Sequence, residues 1–233
     1  MSTKPAAAHT GDALEVITYK CIDRLYKANP RYPYQGHFKL DEPKNVHGRY
    51  LKVQPPKTIS GHTTIKEADF IQYGHAVGPL CIECKNYREW LYPHHTNINE
   101  LIRKSADLGA VPVLISRRIH YTTIRNLFEP AGIIAHESYY QYYPSDKNDL
   151  AQQVRHKRSL GFTDVTASEE PHPRTVKFFN DILPKVVDTM GERWNANKEA
   201  LLAYVDQQIN LAQLYNEIGS PAGGNWQDFN EQH

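Results

Sequence analysis

In the stretch EADFIQYGHAVGPLCIECKNY, thirteen residues separate Asp69 from Glu83, and Lys85 follows Glu83 two positions later. Residues 66–73 and 79–85 read as strands rich in Ile, Phe, Tyr, Leu and Cys, with GHAVG at 74–78 as a five-residue hairpin loop. A turn centred on Ala76 pairs residues whose numbers sum to 152. Asp69 then lies opposite Glu83, Glu67 opposite Lys85, Phe70 opposite Ile82, and Ala68 opposite Cys84. Because side chains alternate along a strand, Ala68, Phe70, Leu80, Ile82 and Cys84 share a core face, and Glu67, Asp69, Glu83 and Lys85 share the other. Directly opposed Cβ atoms lie roughly 4.5–5.5 Å apart, so two carboxylates there repel unless a cation lies between them. One lysine cannot neutralise three carboxylates. The expected chemistry is therefore a divalent metal held by paired acids beside an ammonium, a device for driving water onto a phosphodiester. The competing reading is a solvated hairpin face with cross-strand ion pairs, against which LCIECK is too apolar for a surface edge.

The flanking segments predict an α/β core that holds this hairpin. A helix is expected from Asp12, a good N-cap, to Ala28, with Leu14, Ile17, Cys21, Ile22 and Leu25 on one stripe. FKLDEP and RYLKVQP read as short strands ended by prolines. After the hairpin come a helix near 96–108 ending at Gly109, an apolar strand VPVLIS of the kind buried on both faces, a crossover helix HYTTIRNLFEP, and a parallel strand GIIAH. Adjacent His94 and His95 fit a polar turn or the start of the following helix. Tyr139, Tyr140, Tyr142 and Tyr143 come next, either half-buried at a sheet edge or free to stack on unpaired bases.

From about residue 11 to 137 this order resembles the PD-(D/E)xK nuclease superfamily, also called restriction-endonuclease-like: a helix with an acid (Glu15), a strand with Asp69, a strand with Glu83-x-Lys85, a helix, a further strand. Ala68 stands where the proline of the family name would be, and no glutamine opens the helix near 97–100 as it does in some branches. IECKN is similar to archaeal Holliday-junction resolvases and type IV restriction nucleases. The resemblance implies a central mixed sheet flanked by helices, and a Mg²⁺-dependent endodeoxyribonuclease in which Mn²⁺ can substitute. Mg²⁺ takes oxygen ligands, which suits Asp69 and Glu83; the backbone carbonyl of Cys84 as third ligand is implied by the resemblance, as is a place for Glu15 in the metal shell. Lys85 would orient the water and act as base where its pKa is depressed. Products would be a 5′-phosphate and a 3′-hydroxyl. An inactive nucleic-acid-binding or scaffold protein on the same fold is the alternative.

Charge is unevenly distributed. Residues 1–160 hold 22 Lys and Arg against 15 Asp and Glu, whereas residues 161–233 hold 5 against 11, so the net +1 hides a basic body and an acidic tail. A basic body is the footprint of phosphate binding, with Arg88, Arg103, Lys104, Arg117 and Arg118 as the candidate nucleic-acid contacts, supported by Arg125 and RHKR at 155–158. Double-stranded DNA is the expected partner. Three cysteines make no disulfide framework, and Cys81 and Cys84 point to opposite faces of a strand, which disfavours a zinc or redox site. No apolar stretch reaches membrane-spanning length and the N-terminus lacks a signal-peptide core, so no membrane association and a cytoplasmic location are expected.

The expected organisation is a nuclease-like core over 1–145, a helical extension over 146–218 and a mobile tail over 219–233. In the extension, PRTVKFFNDILPKVVDTMGERW should be kinked or split by Pro184. NKEALLAYVDQQINLAQLYNEIG should form one last helix, with Leu201, Leu202, Val205, Ile209, Ala212, Leu214 and Ile218 available to the domain or to a second subunit in a homodimer.

Overall fold

A computed structural model of the chain describes residues 7–45, 49–156 and 160–222, with residues 7–11 described by backbone alone. Helix α1 (Ala7–Ala28) carries the expected stripe, and Leu14, Ile17, Cys21, Ile22 and Leu25 are all buried. It starts before Asp12, which pairs with Arg49 at 3.2 Å and is not the N-cap. There follow β1 (Tyr34–Gln35), β2 (His37–Lys39) and β3 (Leu51–Val53), then the small hairpin of β4 (Thr58–Ile59) and β5 (His62–Thr63). The central hairpin is β6 (Phe70–Gln72) and β7 (Leu80–Lys85).

The pairing of that hairpin is Phe70 with Ile82, Ile71 with Cys81 and Gln72 with Leu80, so its register sums to 152 as expected. β6 is shorter than predicted, and Asp69 sits in a bend just before it. Between the strands, Gly74 takes a φ of 90° against residues 31 and 32. A Cβ there would stand 1.9 Å from the Arg31 carbonyl oxygen, so only glycine fits.

Helix α2 (Thr96–Asp107) is capped by His95, whose ring accepts the Asn97 amide. It carries the chain over to β8 (Val111–Ser116), which is parallel to β7 and buried at all six positions. A second crossover, made of α3 (Tyr121–Thr123), a π-helical turn at Ile124–Phe128 and α4 (Glu129–Ala131), leads to the parallel β9 (Ile134–Glu137). The resulting five-stranded mixed sheet has the order β1-β6-β7-β8-β9. Its two faces are covered by different helices. The Cys84 thiol donates to the Thr18 hydroxyl of α1 at 3.3 Å, while Cys81, three residues away and so on the opposite face, lies against Ser105 of α2.

The tyrosine segment forms β10 (Gln141–Tyr143), which lies outside the main sheet and pairs in parallel with β11 (Val165–Ala167). Asn86, directly after β7, ties it down: its side chain donates to the Tyr142 carbonyl at 2.7 Å and accepts the Tyr142 amide at 3.0 Å. Tyr142 is buried, and Tyr140 and Tyr143 are half-buried. Exposed Tyr139 lies under the Arg174 guanidinium.

Beyond α5 (Asn148–Arg155), the predicted helical run is interrupted by β11. The helices then read α6 (Pro173–Lys177), a π-helical turn at Phe178–Ile182, α7 (Leu183–Val205) and α8 (Leu211–Glu217). Pro184 causes no split. It lies just after the π turn, whose shifted hydrogen bonding accommodates the missing proline amide within a continuous helical run. The break falls instead at Asp206–Asn210, because Asn210 and Gln213 form a reciprocal capping box that starts α8.

This C-terminal part is no appendage, since Phe178, Phe179, Leu183, Val187, Trp194, Leu201, Leu214 and Ile218 join the same buried cluster as the sheet. Gly132 shows how closely α7 approaches: a Cβ there would lie 2.2 Å from the Met190 carbonyl oxygen and the Trp194 amide. Of the stripe that could serve the domain or a second subunit, Leu201, Leu214 and Ile218 are buried in the chain's own core and Val205 and Ile209 pack against it. Residues 157–158 of the basic RHKR cluster and residues 223–233 of the expected tail lie outside the described residues. Among the described residues, no helix is long and apolar enough to cross a membrane.

Candidate active site

Three carboxylates and three lysines meet at the C-terminal end of β7. Because Asp69 precedes β6, its side chain turns to the edge of β7, where Oδ2 accepts the Cys84 amide at 2.7 Å in place of the next ladder bond. N–H and C=O of one strand residue leave on the same edge, so the Cys84 carbonyl is also directed past the end of β6. On the α1 side, Lys52 of β3 reaches both Asp69 Oδ1 at 3.0 Å and Glu15 Oε2 at 2.7 Å. On the α2 side, Glu83 is held through Oε1 by Lys85 and through Oε2 by Lys104, each at 2.5 Å.

The structure therefore brings together Glu15, Asp69, Glu83, Lys85 and Cys84, and alters the expected charge balance. Glu67 is absent from the cluster; it is exposed and pairs with Lys57 at 3.3 Å. Two lysines join it that the hairpin alone did not supply, Lys52 and Lys104. Lys104 was expected on a DNA-facing surface, but it is 4% exposed and bound to Glu83. Repulsion between Asp69 and Glu83 thus does not by itself demand a metal, because ammonium groups lie beside both.

The two sides differ in electrostatics. Burial, reinforced by the Asp69 charge, pushes the Glu15 carboxyl up to about 7 against the opposing pull of Lys52. Two acids share one ammonium there, so Glu15 keeps its proton up to near neutral pH and the excess negative charge is complete only above it. Burial works to lower the Lys52 and Lys85 ammonium groups, but their carboxylate neighbours outweigh it and hold both above the ordinary lysine value. Lys85 in this arrangement is an ammonium that can orient water or stabilise negative charge, not a base. The cysteines take no part in such chemistry: burial pushes Cys81 up to about 12 and raises Cys84 as well, so both stay thiols.

Among the described residues, no three His, Cys, Asp or Glu side chains form a ready metal cage. Mg²⁺ rarely uses one; it binds through one or two carboxylates and completes its shell with water and substrate phosphate. Glu15, Asp69 and the Cys84 carbonyl fit that donor set, but both Asp69 oxygens are engaged, by Lys52 and the Cys84 amide, just as both Glu83 oxygens are engaged by lysines, so an ion there would have to displace the Lys52 ammonium.

The predicted arginine contacts are largely tied up within the chain. Arg117 is buried, donating to Asp164 and to the Arg88 carbonyl, and Arg103 pairs with Asp206. Arg88 lies over the Phe162 ring, and half-exposed Arg118 lies over Trp90 and 3.3 Å from Asp164. Lys20 and Arg24 meet Glu170, and Lys44 meets Glu169. Asp164, Glu169, Glu170 and Asp206 of the acidic C-terminal segment thus fold back onto the basic body. No family model, no curated protein and no solved structure matches the chain.

Proposed function

We propose that the protein is a Mg²⁺-dependent endonuclease that hydrolyses phosphodiester bonds of DNA, on a restriction-endonuclease-like arrangement of sheet and helices. The observation that carries this reading is the convergence of Glu15 from α1, Asp69 from the bend before β6, and Glu83 and Lys85 from β7 at one strand end, in the chain order that the resemblance names. The antiparallel β6–β7 pair followed by a helical crossover to parallel β8 is in keeping with it. A role in restriction, other defence or repair follows from the same chemistry.

Asp69, Glu15 and the Cys84 carbonyl would hold the ion. When bound, a divalent ion polarises a phosphate oxygen and makes water a competent nucleophile near neutral pH. Lys85 then holds the attacking water and offsets charge that builds on the phosphate. Glu83 sets the position of that ammonium, and Lys104 fixes Glu83 from behind. Such preorganised charge in a partly buried site is the usual source of catalytic power.

Incubating supercoiled plasmid with the protein and Mg²⁺ should give nicked or linear product that EDTA abolishes and Lys85→Ala reduces by at least roughly a hundredfold. Equal cutting by wild type and Lys85→Ala would sink the assignment. An inactive nucleic-acid-binding scaffold predicts retention of DNA with no cutting.

A further inference from the structure

Beyond the site, the loops after β7 and β8 run side by side. Leu91 and Ile119 form a parallel bridge, closed by the His120 amide on the Leu91 carbonyl at 3.0 Å and by the Thr123 hydroxyl on the same oxygen at 2.9 Å. Both bridge residues are buried, at 0% and 1% exposure. Their neighbours along the chain must then face outward, and these are Trp90 and Tyr92 on one segment, Arg118 and His120 on the other.

The outward groups form a continuous array. The Arg118 guanidinium lies 5.1 Å from the Trp90 ring centre, His120 stacks on Tyr92 at 4.6 Å and meets Trp90 edge-on at 6.0 Å. Tyr92 stacks in turn on His94, and Trp90 and Tyr92 are each 41% exposed. Exposed Tyr87, two residues after Lys85, meets the ring of His95, the neighbour of His94, at 6.3 Å. Flat rings interleaved with Arg and His are suited to the faces of bases and the phosphates between them, and the titration below separates this occupant from a protein face, which the same residue types also favour.

We propose that this surface binds unpaired nucleotides, so that the substrate is DNA with a single-stranded arm or end beside the bond to be cut. The inference deepens the nuclease reading and rests on it for the position of the cut. A duplex hides its base faces within the stack, whereas a flap or fork presents them. The array's rigid backing by the Leu91–Ile119 bridge means that little ordering is needed on binding.

The test uses the full chain in EDTA, so that binding is read without cutting. Titration with a roughly 12-nucleotide dye-labelled oligothymidylate should quench the tryptophan fluorescence of wild type and raise the anisotropy of the dye, a readout that also serves the Trp90 variants, and a blunt hairpin duplex should compete poorly. Trp90→Ala should weaken oligothymidylate binding roughly 5- to 150-fold, as expected for loss of one stacked ring, and Trp90→Phe should restore most of it. Circular dichroism identical to wild type would exclude misfolding. With Mg²⁺, the protein should cut a forked duplex faster than a blunt one, and Trp90→Ala should remove that preference.

Equal affinity of wild type and Trp90→Ala for oligothymidylate would overturn the proposal, as would quenching that follows protein concentration alone and so reports a second copy. Cutting of blunt duplex with no effect of Trp90→Ala on forks leaves the nuclease reading and removes this one. Ring-dependent binding with no cutting of any DNA does the reverse, leaving a single-strand-binding surface without the nuclease.

Discussion

Lys52 is the sharpest probe of the site, because its ammonium stands where a divalent ion would have to compete for Glu15 and Asp69. Its side chain is 13% exposed and those of its partners 17% and 16%, so all three charges are mostly out of water. Lys52→Met keeps the stem against Phe38 and Phe70 and removes only the charge. Breaking a buried ion pair on one side costs about 3–5 kcal/mol, and a chain of this size loses about 2–4 °C of Tm per kcal/mol. In EDTA at about pH 8, where protonation of Glu15 offers least relief, the variant should melt roughly 6–20 °C below wild type. Mg²⁺ at a hundred times its Kd returns about 2.7 kcal/mol, so the deficit should shrink by several degrees while wild type, still carrying Lys52, gains less. Scanning calorimetry of both proteins in EDTA and in Mg²⁺ measures this. Equal Mg²⁺ stabilisation of the two proteins would refute the idea that metal and ammonium contest one place.

Acid stability should depend on two half-buried histidines. Burial, with the positive charges of His172 and Arg174, pushes His136 down to about 4, and burial pushes His75 down to about 4 as well. As pH falls from the unfolded value of 6.5 towards 4, the unfolded chain takes up protons that the folded one refuses, so stability present above 6.5 is progressively lost. Each histidine should account for about 2 kcal/mol by pH 5, set against a gain of similar size from the raised Glu15 carboxyl over the same window, and in urea denaturation His136→Gln should lose about 2 kcal/mol less than wild type between pH 7 and pH 5. An unchanged slope would show that His136 titrates normally. Asn86→Ala removes both side-chain bonds to Tyr142 and strands a buried amide, with an expected loss of about 2–4 kcal/mol and amide exchange rising at β10 before the central sheet. Hydrogen exchange checks this, and uniform protection would contradict the tie.

The hairpin was legible because its loop length and alternation leave one register that buries Phe70 and Ile82 together. Lys52 was not, because the alternation in RYLKVQP points the other way: Leu51 and Val53 face outward, at 54% and 37% exposure, and the lysine between them turns inward to the acids. Tertiary charge pairing outweighs local hydrophobicity there. Lys104 did leave a trace. It lies three residues after Leu101, on the helical face that also holds Ile98 and Ser105, and a lysine on a buried stripe calls for a carboxylate partner.

The charge asymmetry was visible, but its purpose was not. Glu169, Glu170, Asp164 and Asp206 return to meet Lys44, Lys20, Arg24, Arg117 and Arg103, pairings that depend on how distant segments pack. β11 was missed between two segments read as helical because three residues of strand carry little periodic signal. The aromatic array escaped notice for a related reason: its rings come from two segments that only the Leu91–Ile119 bridge places side by side.

The most direct measurement is a calorimetric titration of Mg²⁺ into wild type and Asp69→Asn, each bound to DNA under conditions too brief or too cold for cutting. Saturable uptake by wild type that Asp69→Asn weakens at least roughly tenfold is the predicted result. No uptake by either protein, or equal uptake by both, would contradict a metal held at the end of β7.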